Sequence, residues 1–338
     1  MSFEVQNLVK SYGDKVVVDH LSFHMDKPGV YALLGTNGAG KTTSIRMILG
    51  MLTRDSGEIL WNGKPMEPTK MNIGYLAEER GLYPKYSLLD QLLYFAKLKG
   101  VGRSAAMEKI RYWSARLQLD EYIFPPKVVR AAGRKGIGIA KGTQSTTQTV
   151  IGPSMKAEQL SKGNQQKVQL MAALLADPEF VILDEPMSGL DPVNTDLFKE
   201  VIRDEIAKDK YVIMSSHQMP TIEEFCSDIT IMNRGKVVLQ GNLNEIKKSY
   251  GRVNLFVKCE QPLQPLLDEY DSVYAQNPIS IIEETPSETQ LRVAGEEQAM
   301  EFLNFLIGKK ATIIRFDLRE PSLHEIFVEK VGAVNEEE

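Results

Sequence analysis

Residues 30–43 read VYALLGTNGAGKTT, and this stretch decides the fold. A short apolar run, residues 30–34, ends abruptly in Gly35-Thr36-Asn37-Gly38-Ala39-Gly40-Lys41-Thr42, which satisfies G-x-x-x-x-G-K-[ST] at every position. Residues 43–52 then carry Ile45, Ile48 and Leu49 at helical spacing, so the order is strand, glycine-rich loop, helix. Glycines let the backbone turn tightly enough for successive N–H groups to converge on phosphate oxygens. A helix opening directly behind the loop presents its positive end to the same anion. The Lys41 ammonium can reach β- and γ-phosphates, and the Thr42 hydroxyl suits a ligand of Mg²⁺. The loop predicts binding of a nucleoside triphosphate.

The rest of the chain bounds that reading. Its 338 residues leave room for two domains with substantial cores, and the formal net charge of −5 argues against a general nucleic-acid binder. Cys226 and Cys259 form no metal-ligand or redox motif and read as two buried thiols of a reducing compartment. The opening MSFEVQNLVK lacks a basic segment followed by an apolar core, so no secretion signal is expected. No run approaches the ~18–20 apolar residues that span a bilayer. A cytosolic protein is expected, with any membrane role coming through a partner.

Before the loop, residues 3–9 and 15–23 read as strands flanking the turn Ser11-Tyr12-Gly13-Asp14. Tyr12 either packs against its neighbours or stacks on a nucleotide base; the residues alone leave both open. After the loop, residues 57–61 and 72–76 read as strands, and Ala77-Glu78-Glu79-Arg80-Gly81-Leu82-Tyr83 as a polar loop. Residues 87–98 are patterned as a helix, and a second helix is predicted with Ser104 as its cap and Met107, Ile110, Trp113 and Leu117 along one face. The texture then changes. Residues 123–156 hold five glycines, three prolines and six cations (Lys127, Arg130, Arg134, Lys135, Lys141, Lys156), with no acidic residue from Pro125 onward. This reads either as a mobile surface loop or as a docking arm for an acidic partner, anionic lipid or polyanion.

Next comes Leu160-Ser161-Lys162-Gly163-Asn164-Gln165-Gln166-Lys167, leading into a helix, and then an unalternated apolar run, residues 180–183, that reads as a buried parallel strand. It delivers Asp184 and Glu185 at its C-terminal end, where ligands of α/β sheets bind. Asp184 suits the Mg²⁺ that Thr42 also holds, and Glu185 suits general-base work on the water attacking the γ-phosphate; a mere cap on the next segment is the plainer alternative. Ser188-Gly189-Leu190-Asp191-Pro192 makes a tight turn. Residues 211–214 form another buried strand ending in Ser215-Ser216-His217, whose imidazole could hydrogen-bond the γ-phosphate.

Across about residues 2–240 these motifs, in type and order, resemble the ATP-binding subunit of an ABC transporter. The resemblance implies a RecA-like P-loop NTPase α/β core with an antiparallel β subdomain and a helical subdomain at about residues 80–170. It implies Tyr12 as the base-stacking aromatic and residues 35–43, from Gly35 through Asn37, Gly38, Ala39, Gly40, Lys41 and Thr42 to Thr43, as the Walker A loop. Ser161 and Gly163 of the signature motif would contact the γ-phosphate bound by a second protomer. Asp184 and Glu185 match the Walker B pair, Ser188 to Asp191 the D-loop, and His217 the switch histidine.

Three departures stand out. Glu78 occupies the position of the Q-loop glutamine, as a further candidate metal ligand, and the signature reads LSKGN rather than LSGGQ. Both resemble the sodium-efflux and multidrug-type branch, which pairs with ABC-2 permeases. Residues 123–155 look like an insertion into the helical subdomain. From residue 241 to 338 a small α+β domain is expected, with helices at 243–249, 296–306 and 322–330 and strands at 253–258, 290–293 and 311–317. It resembles the accessory C-terminal domain of the same branch, and His324 within it reads as structural.

The expected function is an ATPase using ATP and Mg²⁺ that pairs with a second copy of itself and drives an integral membrane ABC-2-type permease, with no stable nucleic-acid binding. It would sit in the cytoplasm, peripheral on the inner face of the cell membrane through the permease. The alternatives are a soluble ABC ATPase acting on ribosome or nucleic acid, and a slow ATP-sensing regulatory subunit.

Overall fold

Alternating side chains open the chain as a hairpin. β1 (Phe3–Tyr12) and β2 (Lys15–Met25) pair antiparallel about the turn Gly13-Asp14, with Tyr12 opposite Lys15. Both strands outrun the expected 3–9 and 15–23, because cross-strand pairing carries the ladder up to the turn. The structure, a computed structural model, describes residues 1–79, 81–130, 147–274 and 278–336. β3 (Gly29–Gly35), α1 (Lys41–Ile48), β4 (Ser56–Trp61) and the short β5 (Lys64–Pro65) follow. Strands in the order β2-β1-β4-β5 make the expected antiparallel β subdomain.

β6 (Ile73–Leu76) leads to the helices α2 (Leu88–Leu98), α3 (Arg103–Arg116) and α4 (Asp120–Ile123). The Ser87 hydroxyl caps α2 by accepting the Asp90 N–H at 3.2 Å. α3 begins one residue before Ser104. Its cap is Gly102, in extended backbone, and no side chain bonds its first amides. Ala106, Ile110, Trp113 and Leu117 form its buried side.

The flanks of the glycine-rich basic stretch are paired rather than looped. β7 (Pro126–Arg130) and β8 (Thr147–Ile151) form an antiparallel ladder with Arg130 opposite Thr147. Arg134, Lys135 and Lys141 lie outside the described residues. The ladder's base is sewn down by the Leu88 N–H to the Met155 carbonyl (2.8 Å) and the Met155 N–H to the Tyr122 carbonyl (2.9 Å).

α5 (Lys162–Leu174), β9 (Phe180–Asp184), α6 (Pro192–Ile206) and β10 (Tyr211–Ser216) complete the α/β core. β3, β10, β9 and β6 are parallel neighbours in that order. Every residue of β9 and β10 is buried, which is why their sequences run apolar without alternation. Aromatic rings join the two sheets: Phe3 lies 4.9 Å from Phe180 and Trp61 lies 5.0 Å, edge-on, from Tyr211. Such pairs add about 0.5–1.5 kcal/mol each beyond the area they bury.

Contacts divide the chain into two units, Met1–His217 with Arg234–Lys236, and Gln218–Asn233 with Val237–Glu338. The second holds α7 (Met219–Phe225), β11 (Asp228–Asn233), most of β12 (Lys236–Asn242), α8 (Leu243–Tyr250), β13 (Asn254–Cys259), α9 (Leu263–Val273), β14 (Ser280–Glu284), β15 (Thr289–Arg292), α10 (Glu296–Gly308), β16 (Ile313–Arg319) and α11 (Leu323–Glu336). Strands β14-β15-β13-β16 form one antiparallel sheet. Leu255, Val257 and Leu291 from its strands pack with Leu267 and Tyr270 of α9 and Phe302 and Leu306 of α10 in the unit's core. Cys226 is buried, and burial pushes its thiol pKa up. Cys259 is only partly buried, against expectation, because it packs at the edge of that core as the last residue of β13. Among the described residues no helix is long and apolar enough to cross a membrane.

β6 runs close beneath α5 at Gly74, where an added Cβ would sit 2.6 Å from the Ala173 carbonyl oxygen and 2.8 Å from Pro178 Cγ. Gly74→Ala is expected to destabilise the protein by about 2 kcal/mol through overpacking. Gly308→Ala, where nothing lies within 4 Å, serves as the neutral control. Urea unfolding of the two variants distinguishes the sites.

Candidate functional site

The C-terminal ends of four adjacent parallel strands deliver the singled-out residues side by side. The register sets Leu34 beside Ser216, Ser215 beside Asp184, and Leu183 beside Leu76. The glycine-rich loop follows β3, His217 follows β10, Asp184 ends β9 with Glu185 directly after it, and Glu78 follows β6. A cleft of about 260 Å³ opens there, lined by residues 37–43 with Val17, Glu78 and Glu185.

The loop is built on left-handed glycines. Gly38 has φ +80°, and Gly40, at the cap of α1, has φ +104°, a conformation that side-chain-bearing residues avoid. No side chain caps α1, so its opening amides face the cleft as donors. Lys41 is 7% exposed, and its ammonium donates to the carbonyls of Gly35 (2.9 Å) and Thr36 (3.3 Å). It also lies 3.8 Å from Glu185 Oε1.

Glu185 is held from several sides. Its backbone is left-handed, with φ +50°. Its N–H is shared between the Ser215 hydroxyl (3.1 Å) and the Ser215 carbonyl (3.2 Å). His217 Nδ1 lies 2.8 Å from Oε2. A carboxylate only accepts, so Nδ1 carries the proton of that bond and Nε2 is directed elsewhere. Asp184 is fully buried; one of its oxygens accepts a hydrogen bond from the Ser215 hydroxyl, and the other, Oδ2, has no hydrogen-bond partner among the described residues. Asp184 is not among the residues lining the cleft, but an orphaned, buried carboxylate oxygen next in sequence to the lining residue Glu185 fits a divalent cation held by oxygen ligands. Tyr75, near Asp184, has its phenol pushed up to about 12 by burial and then by the Asp184 charge, with Arg46 opposing.

Other expected residues lie elsewhere. Tyr12 is 54% exposed at the end of the β1–β2 hairpin, under the Lys10 ammonium, and is not among the lining residues. Ser161 caps α5 by accepting the Asn164 N–H at 3.2 Å. A Cβ on Gly163 would touch Asn194 (3.4 Å) and Leu190 (3.5 Å), so the first turn of α5 packs on Leu190 and the start of α6. Asp191 caps α6, and the Asn194 backbone N–H foremost holds its carboxyl below the usual range. Sequence reasoning missed Val17, Ser215 and Tyr75. A hydroxyl ending an otherwise apolar strand was the available signal for Ser215; Val17 carried none.

The family model described as "ABC transporter" matches residues 18–188, and that described as "ATP-binding protein DrrA1-3-like, C-terminal domain" matches residues 241–331. The chain is 39% identical to an uncharacterized ABC transporter ATP-binding protein, YhaQ, of Bacillus subtilis, over 98% of this chain and 99% of that protein. It is 26% identical to the Nod factor export ATP-binding protein I of Cupriavidus metallidurans, over 97% of each. A solved ATP-binding subunit of an ABC transporter superposes with a TM-score of 0.60 at 26% identity, covering 74% of this chain and 93% of that one.

Ser215→Ala removes the donor to Asp184 and one acceptor of the Glu185 amide. A loss of about 1–3 kcal/mol in chemical unfolding is expected for stranding those buried groups; unchanged stability would show that the hydroxyl is dispensable.

Proposed function

The chain belongs to the ATP-binding proteins of ABC transporters, and on that premise we propose that it closes as a homodimer over two Mg-ATP and drives a separate ABC-2-type permease. The chain is an ATP-hydrolysing transporter subunit by family. The finer reading rests above all on the convergence of Lys41, Asp184, Glu185 and His217 at adjacent strand ends.

In this reading Thr42, Asp184 and Glu78 would hold a divalent cation, which would offset the phosphate charge. Lys41, already satisfied by loop carbonyls, exchanges them for phosphate oxygens. The amides opening α1 receive the same anion. Glu185 takes a proton from the attacking water, and the phosphorus–oxygen bond to ADP breaks as the new one forms. Donating from Nδ1–H to Glu185 and from Nε2–H to the γ-phosphate together takes His217 as the imidazolium in this reading. Ser161 and Gly163, away from the chain's own cleft, act on nucleotide held by the partner copy, with Asp191 beside them. Tyr12 stacks on the base.

The domain reading is an ATPase domain over residues 1–240 and an accessory domain over 241–338, supported at the second boundary by the family match that begins at 241. For the permease, an apolar groove of about 400 Å³ is the candidate surface. Its walls include Tyr75, Leu82, Phe95 and the largely exposed Met51 and Leu98. Export is favoured because one relative is named for export. The protein would then lie at the inner face of the membrane through that partner.

Glu185→Gln should retain ATP binding and lose turnover by at least about 100-fold, the usual weight of a general base. Lys41→Ala should weaken ATP binding itself by about tenfold or more, the value of a charge-assisted hydrogen bond. Undiminished hydrolysis in Glu185→Gln would sink its assignment as the base. Separately, affinity purification of the tagged chain from detergent-solubilised membranes should bring down a stoichiometric multi-span protein. Recovery with ribosomes or nucleic acid alone would overturn the permease reading.

A further inference from the structure

β1 is paired on both sides only as far as Val9. Its ladder with β4 ends at Val9 opposite Ser56, whereas its ladder with β2 runs on to Tyr12 opposite Lys15. Lys10, Ser11 and Tyr12 therefore pair with β2 alone, and that pairing is interrupted there. Lys10 stands opposite Val18 and Ser11 opposite Val16, which makes Val17 the extra residue of a bulge. A bulge breaks the ladder and re-aims a side chain. This one falls at Val17, which lines the cleft of the glycine-rich loop. A two-stranded tip interrupted in this way holds itself weakly.

One carboxylate takes over where the second ladder stops. Asp55 directly precedes β4, and its N–H donates to the Val9 carbonyl at 2.9 Å. Its side chain carries the same edge further: Oδ1 accepts from the Lys10 ammonium at 2.7 Å, and Oδ2 accepts the Ser11 N–H at 2.6 Å. The Lys10 ammonium in turn lies over the Tyr12 ring, 5.5 Å from its centre. Tyr12 stays 54% exposed, so a base has room to stack on it. Among the described residues, Asp55 makes the only side-chain hydrogen bonds to Lys10, Ser11 or Tyr12. Lys10 foremost, then the Ser11 N–H, holds the Asp55 carboxyl below its ordinary range.

Nearer its base the hairpin is fixed to the glycine-rich loop. The Gly235 N–H donates to the Ala39 carbonyl (3.1 Å), while the Gly235 carbonyl accepts the Asp19 N–H of β2 (2.9 Å). A Cβ on Gly235 would stand 2.8 Å from the Val17 carbonyl oxygen, so the approach is as close as glycine allows. Two anchors thus set the hairpin. Gly235 relates β2 to the loop, and Asp55 fixes where the end bearing Tyr12 stands. All of these bonds lie within the first unit.

We infer that Asp55 is a positioning residue that sets the Tyr12 ring for the nucleotide base, through Lys10 and the Ser11 amide. The inference rests on the base-stacking role proposed for Tyr12. It predicts an effect on recognition of the base rather than of the phosphates, because the glycine-rich loop is anchored separately.

The test is steady-state ATP hydrolysis by the full chain, with inorganic tripolyphosphate, which has no base, as competitor. Asp55→Ala removes the acceptor for both donors and should raise KM for ATP about fivefold, a share of what base–aromatic stacking contributes. Both kcat and the inhibition constant of tripolyphosphate should stay within about twofold of wild type. Asp55→Asn keeps an oxygen for the Ser11 N–H and should recover most of the affinity. Tyr12→Ala separates the two claims and should raise KM by about tenfold, the usual weight of one stacked base. If it leaves KM as in wild type, the role given to Tyr12 fails, and the inference falls with it. If Tyr12→Ala raises KM while Asp55→Ala and Lys10→Met both keep it within about twofold of wild type, the inference about Asp55 alone is overturned. A parallel weakening of ATP and tripolyphosphate in Asp55→Ala also overturns it, since that marks general disruption of the cleft. Should Asp55→Ala fail to fold, Lys10→Met, which spares the bond to Ser11, decides by the same comparison of ATP with tripolyphosphate.

Discussion

The catalytic end of this protein hangs on one hydroxyl. Ser215, at the end of β10, donates to Asp184 and accepts the amide of Glu185, so a single oxygen fixes two consecutive carboxylate residues on the neighbouring strand. That link is one of several that hold Glu185 in a left-handed backbone, which costs an ordinary side chain of order ~1 kcal/mol or more. Held there, its carboxylate turns back across the strand ends to meet Lys41 on one side and His217 on the other. The Glu185 carboxylate, the Lys41 ammonium and the His217 imidazole are thus joined in the protein alone, an arrangement that in the proposed reaction would keep reorganisation small.

Sheet order does the rest. Parallel strands point their C-terminal ends one way, and the neighbours β3, β10, β9 and β6 bring residues separated by up to about 180 positions of chain onto one line. Burial on both faces leaves these strands no freedom to slip, since a one-residue shift would turn every side chain over. The precision of the site is inherited from the packing of the sheet.

Much of this was legible in the residues. The glycine-rich loop, the run ending in Asp184 and Glu185, and the strand before His217 could be read because apolar runs, glycine and charge change abruptly at each boundary. Ser215 could not, because its role exists only once register places it beside Asp184. Val17 reaches the cleft through a similar accident of tertiary structure: its carbonyl neighbourhood is closed by Gly235, whose N–H bonds the Ala39 carbonyl. α9 was hidden by Pro265 in its first turn, which reads as a breaker but is tolerated there. β14 was hidden because all five of its residues are exposed, leaving no alternation to find. Ser104 looked like a cap by residue type, whereas the backbone turned into the helix earlier, at Gly102.

The ladder between β7 and β8 has an evolutionary consequence. By pairing Arg130 with Thr147 it closes the ends of the intervening sixteen residues on each other and returns the chain to α5 at a fixed point. Lengthening an interval already closed at its base costs only about 0.6 kcal/mol for each doubling. The stretch can therefore be rewritten, extended or exchanged almost without tax on the ATPase that carries it.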